Sequence, residues 1–419
     1  MSDAFRVKNG PRTGSVTPPS SKSEAHRALI CAALSGEKSE IIFRGISDDI
    51  RATAGCLSAL LKDVKIDGDI IRVGDAIRPS VPARADCGES GSTLRFLLPL
   101  CGALGLDAVF EARGRLPSRP LSPLDSLMRE HGATVTRDGA FIGVSGKLVS
   151  GDYSIPGDVS SQFVSGLLFS LPLLDGDSRL EVTGKTESAG YIRMTLDALA
   201  QSGIQIDKND NIYYIPGRQQ YRFPERAAVG ADWSGAAFFL CAGALSERGV
   251  RVQGLSYPSS QGDSAIVAIL ERFGALVSFD GDGALTVKRG NLRGIGIDAS
   301  DIPDLVPVLA TVAAAAEGKT EFYNAGRLRL KESDRLEGTA ELINSLGGIA
   351  EIQGDTLRVT GTGRLRGGFT DSRSDHRLAM SAAVAAAICD GPVTVSDPAC
   401  TAKSYPGFWN DLGSLETEA

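Results

Sequence analysis

Polar and charged side chains suited to binding anions stand at the starts of apolar segments of the sequence. Lys22 and Arg27 lie in PPSSKSEAHRALI, and VSSQF holds Ser160, Ser161 and Gln162. A lysine and an arginine beside serine hydroxyls, at a helix N-terminus with unpaired N–H groups, are typical of phosphate binding. The alternative for these residues is ordinary helix capping together with solvated charge.

Two acidic side chains lie beside basic ones in the second half of the sequence. Asp304, in ASDIPDLVPVL, precedes a long uncharged run, so it is either a helix cap or a general base held partly out of water. RLRLKESDRLEGTAELI holds Glu332 together with Lys331 and Arg335, and the spacing predicts these two cations on one face of a helix start. They repel each other there unless an anion lies between them. A solvated charged helix is the alternative.

Further basic side chains occur as Arg119 in RLPSRPLSPL, Arg377 in SDHRLAMS and Lys403 in CTAKSYPGFW. The Gly/Ser loop of CGESGSTLRFL, around Gly91, opens an apolar segment, and its backbone N–H groups are predicted to face an oxyanion. Together with one Asp and one Glu, these cations suit two anionic substrates and proton transfer, without a metal or an organic cofactor.

The elements that position these residues repeat along the chain. Six polar clusters that run into small-residue apolar segments begin near Ser20, Glu89, Asp158, Asp232, Asp301 and Asp375, at intervals of 69 to 74 residues. A period of this length indicates one folding unit repeated six times. Each unit is predicted to hold strands, one buried helix that is apolar all round, and one amphipathic helix that ends at a glycine.

Composition narrows the class of protein. Six units in 419 residues predict two domains of three repeats, with the crossover near 228–232, and the net charge of −7 argues against a general nucleic-acid binder. The N-terminus has no apolar signal core, and the apolar runs are too short to span a bilayer, so we expect a cytoplasmic protein not bound to membranes. Seven cysteines without a CxxC pair are predicted to be mostly buried thiols.

As an ordered set, the motifs SSKSEAHR, VSSQF, IPD, RLRLKESDRL, SDHRLAM and KSYP resemble those of the enolpyruvyl transferase family, along essentially the whole chain. The resemblance implies an α/β, two-domain enolpyruvyl transferase fold with six βαβαββ repeats, three per domain, and buried helices inside sheets and amphipathic helices. The first domain is expected at 19–229 and the second at 1–18 plus 230–419. In the family, the domains close over substrates bound between them.

The resemblance also implies an activity, the transfer of the enolpyruvyl group of phosphoenolpyruvate to the 5-hydroxyl of shikimate 3-phosphate. Phosphate leaves through a tetrahedral intermediate, and the inhibitor glyphosate is expected at the phosphoenolpyruvate site. The reaction belongs to the shikimate pathway toward chorismate and the aromatic amino acids. The implied enzyme is a monomeric, cytoplasmic transferase whose partners are these two small molecules, without cofactor, metal, nucleic acid or membrane.

Carried over motif by motif, the resemblance assigns roles to residues of this chain. It implies that Asp304 deprotonates the 5-hydroxyl, that Glu332 protonates the methylene carbon, and that Lys22 contributes to catalysis. The residues expected to bind shikimate 3-phosphate are Lys22, Ser23, Arg27, Ser160, Ser161, Gln162, Ser188, Tyr191, Asp304, Arg327 and Lys331. Those expected to bind phosphoenolpyruvate are Lys22, Gly91, Arg119, Gln162, Arg335, Arg377 and Lys403.

Two positions depart from the family's motifs. Glu89 stands where many members have Asn. Its carboxyl group either pairs with a neighbour such as Arg95 or Arg119 or is protonated, and we expect the pairing. Arg327 stands where some members have Asn, and it adds positive charge on the shikimate-phosphate side.

Two alternative functions are less consistent with the sequence. The sister enzymes that act on UDP-N-acetylglucosamine carry a reactive cysteine in a mobile loop, where this chain has RLPSRPLSPL, and they lack SSKSEAHR. A non-catalytic anion-binding protein of the same fold is the other alternative. The presence of both Asp304 and Glu332 argues against it.

Overall fold

The computed structural model describes residues 4–184, 189–281 and 283–418 of the chain. They form two compact units, which are described separately: Lys22–Val229, and Met1–Ser21 with Gly230–Ala419. Both are built of short strands and helices of at most 14 residues.

The strands and helices follow each other in the order that the repeat predicts. The strands are β1 (Ala4–Val7), β2 (Arg12–Val16), β3 (Ser39–Ile42), β4 (Lys62–Asp67), β5 (Ile70–Ala76), β6 (Ala83–Gly88), β7 (Ala108–Ala112), β8 (Ala133–Asp138), β9 (Phe141–Gly146), β10 (Asp152–Pro156), β11 (Ser178–Thr183), β12 (Asp207–Asn209), β13 (Ile212–Ile215), β14 (Arg226–Ala228), β15 (Val250–Val252), β16 (Leu276–Phe279), β17 (Leu285–Lys288), β18 (Gly296–Asp298), β19 (Lys319–Tyr323), β20 (Ile349–Gln353), β21 (Thr356–Thr360), β22 (Gly368–Thr370), β23 (Val393–Ser396) and β24 (Glu416–Thr417). The α-helices are α1 (Lys22–Leu34), α2 (Asp48–Leu60), α3 (Gly91–Leu104), α4 (Leu124–Glu130), α5 (Ser161–Ser170), α6 (Ala189–Gln201), α7 (Trp233–Ala244), α8 (Ile266–Phe273), α9 (Val306–Ala315), α10 (Arg335–Ser345), α11 (His376–Ala385) and α12 (Phe408–Ser414).

Three sheets of Lys22–Val229 share one topology, with strand orders β14-β3-β5-β4, β6-β7-β9-β8 and β10-β11-β13-β12. In the second, β6 and β7 are parallel, and β9 is antiparallel to both β7 and β8. Helix α3 connects β6 to β7 and α4 connects β7 to β8, so the repeat has the order βαβαββ. In the first sheet the opening strand is β14, which comes last in the sequence of the unit and pairs in parallel with β3.

The other unit also holds three sheets, ordered β18-β19-β21-β20, β16-β17-β15-β2-β24 and β1-β23-β22. The first two follow the same pattern, with α9 and α7 as the helices after their opening strands. In the third, β22 and β23 are parallel, and β1 from the start of the chain lies antiparallel to β23. The predicted α/β fold of six repeats is therefore confirmed, with the sixth repeat completed by the N-terminal strand.

One helix of each repeat is buried, as the apolar segments predicted. Every residue of α9 and α11 is buried, and so is every residue of α7 except Ser234. A helix that is apolar all round can lower its free energy only by burying its whole surface, so the sheets and amphipathic helices lie outside it. None of the described helices is both long and apolar enough to cross a membrane.

Polar residues cap four of the buried helices. The side chains of Ser90, Ser160, Asp232 and Asp375 accept hydrogen bonds from backbone N–H groups in the first turns of α3, α5, α7 and α11. Such a cap satisfies one of the N–H groups that a helix start leaves without an intrahelical partner. Two of the caps, Ser90 and Asp375, stand directly before or close to the predicted site residues Gly91 and Arg377.

The chain leaves and re-enters the unit Met1–Ser21 with Gly230–Ala419 at one place. Ser20 forms an antiparallel bridge with Ala231, and the N–H of Ser21 donates to the carbonyl of Gly230 at 2.7 Å. The segment Lys22–Val229 is therefore an insertion in the sequence of the other unit.

Helix α5 packs against α3 at Gly166, and this contact gives a test of the buried-helix architecture. A Cβ on Gly166 would meet the carbonyl oxygen of Arg95 and lie 2.9 Å from Pro99 Cγ, whereas a Cβ on Gly55 of α2 meets nothing within 4 Å. We expect Gly166→Ala to lower the free energy of unfolding by about 1–3 kcal/mol through overpacking. Gly55→Ala should raise it by about 0.5–1 kcal/mol through helix propensity. Urea denaturation of both variants measures the difference, and equal effects would contradict this packing.

Candidate active site

In the unit Lys22–Val229, Lys22 begins α1 and forms an ion pair with Asp49 of α2, with Nζ 3.0 Å from Oδ2. One helical turn further on, His26 Nδ1 lies 2.7 Å from the Thr53 hydroxyl. Burial lowers the pKa of His26 to about 3, more than the nearby Asp49 raises it. His26 is therefore neutral at physiological pH, and it joins α1 to α2.

Arg27 occupies the inner face of the α1 start. Its guanidinium donates to the carbonyl of Ser23 at 2.5 Å, to the carbonyl of Tyr191 at 2.8 Å and to the hydroxyl of Thr195 at 2.9 Å. Burial lowers the pKa of Arg27 to about 10, so the group stays charged at neutral pH. The bonds to Tyr191 and Thr195 fix α6 against α1; Ser188, predicted nearby, lies outside the described residues.

A second group of cations lies at the starts of α3 and α5. The guanidinium groups of Arg119 and Arg95 lie over Gly91, where a Cβ would be 2.9 Å and 3.1 Å from their Nη1 atoms. Gln162 accepts from Arg95 Nη1 at 2.6 Å and donates to the Ser92 hydroxyl at 2.9 Å. This arrangement of a helix start, two guanidinium groups and an amide suits a carboxylate or phosphate.

Arg95 contributes to this group, although the sequence analysis considered it only as a partner of Glu89. The signal for it was a single arginine in the otherwise apolar segment STLRFLLPLCGAL. A buried cation needs partners, so its presence at a buried helix start already indicated a polar site.

Ser160 and Ser161 have different positions at the start of α5. The Ser160 hydroxyl accepts from the N–H of Gln162 at 3.3 Å as the helix cap, and Ser161 is a buried first residue of the helix. Capping therefore explains one of the three polar residues of VSSQF.

Glu89 lies at the entrance of the same loop, and its carboxylate packs over Gly114. A side chain on Gly114 would overlap the Glu89 carboxylate, and Gly114 has a φ of 56° that favours glycine. Gly114 thus provides the space for a glutamate here. The expected pairing of Glu89 with Arg95 or Arg119 stays a prediction.

In the other unit, Arg335 binds three carboxylates at once. Its Nη1 donates to Asp304 at 2.7 Å, its Nη2 to Glu332 at 2.7 Å, and its Nε to Asp375 at 2.8 Å. Arg335 is 1% exposed and Asp375 is fully buried. Burial alone lowers the pKa of Arg335, but the three carboxylates outweigh it and raise that pKa.

Asp304 lies at the centre of the positive charge in this unit. Its Oδ1 is 3.2 Å from Lys331 Nζ as well as 2.7 Å from Arg335, and its Oδ2 is 3.7 Å from Arg377 Nη2. Burial raises the pKa of Asp304, but these three cations more than offset it and hold that pKa well below the ordinary value. Asp304 is therefore ionised at neutral pH.

The helix starts exclude the capping alternative for Asp304 and show that the helical face expected for Lys331 and Arg335 is wrong. Helix α9 begins at Val306 with Leu305 as its N-cap and without a side-chain cap, so Asp304 does not cap it. Helix α10 begins at Arg335 after the cap Asp334, so Lys331 lies outside the helix and does not share a helical face with Arg335. The anion expected between these two cations is nevertheless present, because it is the carboxylate of Asp304.

The other predicted cations of this unit differ in their surroundings. Burial lowers the pKa of Lys331, Asp304 raises it by a smaller amount, and the charges of Arg335 and Arg327 lower it further. Lys403 is 9% exposed at the end of a short 3₁₀ helix, and Arg377 Nη1 donates to the carbonyl of Ser234 at 3.3 Å.

Asp375 is a further residue of the cluster that was not among those predicted from the sequence. Besides capping α11, Asp375 accepts from the Ser333 hydroxyl at 2.9 Å and from two nitrogens of Arg335. In the sequence, Asp375 is recognisable only as a helix cap close to the predicted site residue Arg377. A cap with no role in the site would look the same. Among the described residues, no three His, Cys, Asp or Glu side chains are grouped so as to hold a metal ion.

The ion pair of Arg335 and Asp375 gives a stability prediction. We expect Asp375→Asn to lower the free energy of unfolding by about 3–5 kcal/mol, because it leaves a buried guanidinium short of one charge partner. Glu341→Gln is the control, since Glu341 pairs with Arg373 and its side chain is 59% exposed. That change should cost no more than about 1 kcal/mol. Denaturant titrations of the two variants measure the loss in the free energy of unfolding. Similar losses would contradict a dominant contribution of the buried Arg335–Asp375 pair to stability.

Comparisons with known proteins identify the family of the chain. The model of the family described as EPSP synthase (3-phosphoshikimate 1-carboxyvinyltransferase) matches residues 7–412. Relatives named 3-phosphoshikimate 1-carboxyvinyltransferase include one of Clostridium perfringens strain SM101, 41% identical over 96% of each chain, and one of Clostridium acetobutylicum, 40% identical over 96% of this chain and 95% of the relative. A solved EPSP synthase of Acinetobacter baumannii shares the fold, with a TM-score of 0.81 at 22% identity over 99% of this chain and 100% of that one. These matches do not favour the alternative acting on UDP-N-acetylglucosamine, and the chain belongs to the EPSP synthase family.

Proposed function

We propose that this protein transfers the enolpyruvyl group of phosphoenolpyruvate to the 5-hydroxyl of shikimate 3-phosphate and releases phosphate, a step of the shikimate pathway toward chorismate. The observation that carries the proposal is the cluster in which Arg335 binds both Asp304 and Glu332. It holds two carboxyl groups for proton transfer among cations for anionic substrates. Relatives sharing about 40% of the sequence carry the name of this activity.

The reaction needs a proton donor and a proton acceptor, and the cluster offers one carboxyl group for each task. In its protonated form, Glu332 gives a proton to the methylene carbon of phosphoenolpyruvate, which leaves the neighbouring carbon electron-poor. The 5-oxygen of shikimate 3-phosphate bonds to that carbon while Asp304 takes the hydroxyl proton. The product of this addition is a tetrahedral adduct that still carries its phosphate.

Elimination completes the reaction. A proton leaves the new methyl group for the Glu332 carboxylate, the double bond re-forms, and the carbon–oxygen bond to phosphate breaks. Asp304 has a pKa well below the ordinary value, so it is in the ionised form that a proton acceptor requires. A weakly basic carboxylate removes a hydroxyl proton only as the new carbon–oxygen bond forms, which couples the proton transfer to the addition.

The charge that moves during these steps falls on the phosphate of phosphoenolpyruvate. Pre-positioned cations stabilise such developing charge more than water does, because they need no reorganisation. We assign Lys22, Gly91, Arg119, Gln162, Arg335, Arg377 and Lys403 to phosphoenolpyruvate. We assign Lys22, Ser23, Arg27, Ser160, Ser161, Gln162, Ser188, Tyr191, Asp304, Arg327 and Lys331 to shikimate 3-phosphate.

The first test is the reaction itself. Purified protein should release inorganic phosphate only when phosphoenolpyruvate and shikimate 3-phosphate are both present, and added EDTA should not change the rate. Turnover with UDP-N-acetylglucosamine in place of shikimate 3-phosphate would contradict the proposed substrate. Loss of activity in EDTA and its recovery with a divalent ion would contradict a reaction without metal.

Variants separate proton transfer from binding. Glu332→Gln and Asp304→Asn should each lower kcat by about 10²- to 10⁴-fold, because a proton-transfer group is lost. Arg27→Ala should instead raise the KM for shikimate 3-phosphate, since its guanidinium fixes Ser23 and Tyr191. Steady-state rates and calorimetric binding on the three variants measure the two effects. Near-normal turnover of the Glu332→Gln variant would contradict the assignment of Glu332 as the proton donor.

A further inference from the structure

We propose that Asp263 is a positioning residue of the reaction, which holds Arg377 through Ser234 and sets the negative charge that Arg377 and Asp304 experience. Asp263 lies outside the motifs that identified the site, and it is buried with 3% exposure. The inference rests on the roles proposed above for Asp304 and Arg377. Its test below has one measurement that does not need enzymatic activity.

The segment that carries Asp263 is fastened to the start of α7. The side chain of Gln261 accepts from the N–H of Trp233 at 2.9 Å and donates to the carbonyl of Ala231 at 2.9 Å. On its other side, a Cβ on Gly262 would lie 3.8 Å from the carbonyl oxygen of Asp301. The segment thus lies between the start of α7 and the loop that leads to Asp304.

Three contacts connect Asp263 to Asp304. The Ser234 hydroxyl donates a hydrogen bond to the carboxylate of Asp263. The carbonyl of the same serine accepts from Arg377 Nη1 at 3.3 Å, and Arg377 Nη2 is 3.7 Å from Asp304 Oδ2. Ser234 is therefore held by Asp263 on its side chain and by Arg377 on its backbone.

Arg377 depends on its surroundings for orientation. It is 4% exposed, and its Nε has no hydrogen-bond partner among the residues that the structure describes. With few direct hydrogen bonds, a buried guanidinium is held largely by the charges that face it. These are the carboxylates of Asp304, Asp263 and Asp232, and the opposing cation of Arg335.

Asp263 is the member of this cluster whose charge changes near neutral pH. Burial raises the pKa of Asp263 to about 6, the charges of Asp304 and Asp232 add to the rise, and Arg377 and the Ser234 hydroxyl oppose it. Asp304, with three cations around it, has its pKa held well below the ordinary value and stays ionised. As pH falls through about 6, Asp263 takes up a proton and Arg377 loses one of its facing carboxylates.

The activity test compares Asp263→Asn with wild type across pH. At pH 8 the variant should have a kcat/KM for phosphoenolpyruvate about tenfold lower, the equivalent of one pKa unit of interaction with Arg377. At pH 5 the two proteins should converge, because the wild-type carboxyl is then protonated. Glu271→Gln is the matched control, since it removes an exposed carboxylate from α8 of the same segment and should follow wild type at every pH. A constant ratio of wild type to Asp263→Asn from pH 5 to 8 would overturn the proposal.

Ser234→Ala provides a second variant of the same path. It removes the hydrogen bond that lowers the pKa of Asp263, so the pH at which activity falls should move upward. An unchanged or lower midpoint would contradict the path through Ser234. This result is informative even if Asp263→Asn does not fold.

The pH dependence of stability tests the charge of Asp263 without any substrate. A carboxyl whose pKa is raised on folding binds more protons in the folded state, so wild type should lose stability relative to Asp263→Asn as pH rises from about 4 to 7. Denaturant unfolding at several pH values measures this difference, and parallel curves would overturn the assignment. If the difference is found but wild type releases no phosphate, the proposed function fails while the buried titrating carboxyl stands.

Discussion

The site in the unit Met1–Ser21 with Gly230–Ala419 depends on one buried guanidinium. Arg335 brings together carboxylates from three places in the sequence, the loop before α9, the turn before α10 and the cap of α11. Burying three carboxylates near each other is unfavourable unless a cation satisfies them, and burying the cation is unfavourable without them. The four groups therefore hold one another, and they fix the starts of three elements in a common arrangement.

The buried helices give this cluster its location. In each repeat, the helix that follows the first strand is enclosed, so its N-terminus is the part that meets polar groups. The cap residues Asp232 and Asp375 place negative charge at two of these starts, where it interacts favourably with the helix dipole. The charges of Asp304, Asp263 and Asp232 stabilise the guanidinium of Arg377. Arg335 pairs with Asp375.

The repeat and the burial of its helices were predictable from the sequence, because period and all-round apolarity are local properties of the chain. Of the carboxylate cluster, the sequence predicted three members, Asp304, Glu332 and Arg335, but not the contacts that join them. The role of Asp375 depends on a contact forty positions away along the chain, between its carboxylate and Arg335. No local pattern encodes such a contact.

The start of α10 was predicted wrongly, although the correct start is indicated by residues next to it in the sequence. The spacing of the charges predicts a helix start near Lys331, whereas Asp334 accepts from the N–H of Glu337 and the helix begins at Arg335. The stretch DRLE has an N-cap acid followed three positions later by glutamate, which marks a helix start. Capping chemistry was the better guide here than the spacing of charges.

The two places where the chain passes between the units, near Ser20 and near Ala231, are hydrogen-bonded to each other, and this has a consequence for folding. The bridge between Ser20 and Ala231 closes a loop that contains the whole of Lys22–Val229. As an unfolded coil that loop opposes the bridge, since the entropy lost on closure grows with the logarithm of loop length. Once Lys22–Val229 is folded, β14 is paired with β3 and the ends of the insertion are restrained. Strand β2 then meets β15 at a much smaller entropic cost, so the order of events that this topology favours is the inserted unit first and the surrounding unit second.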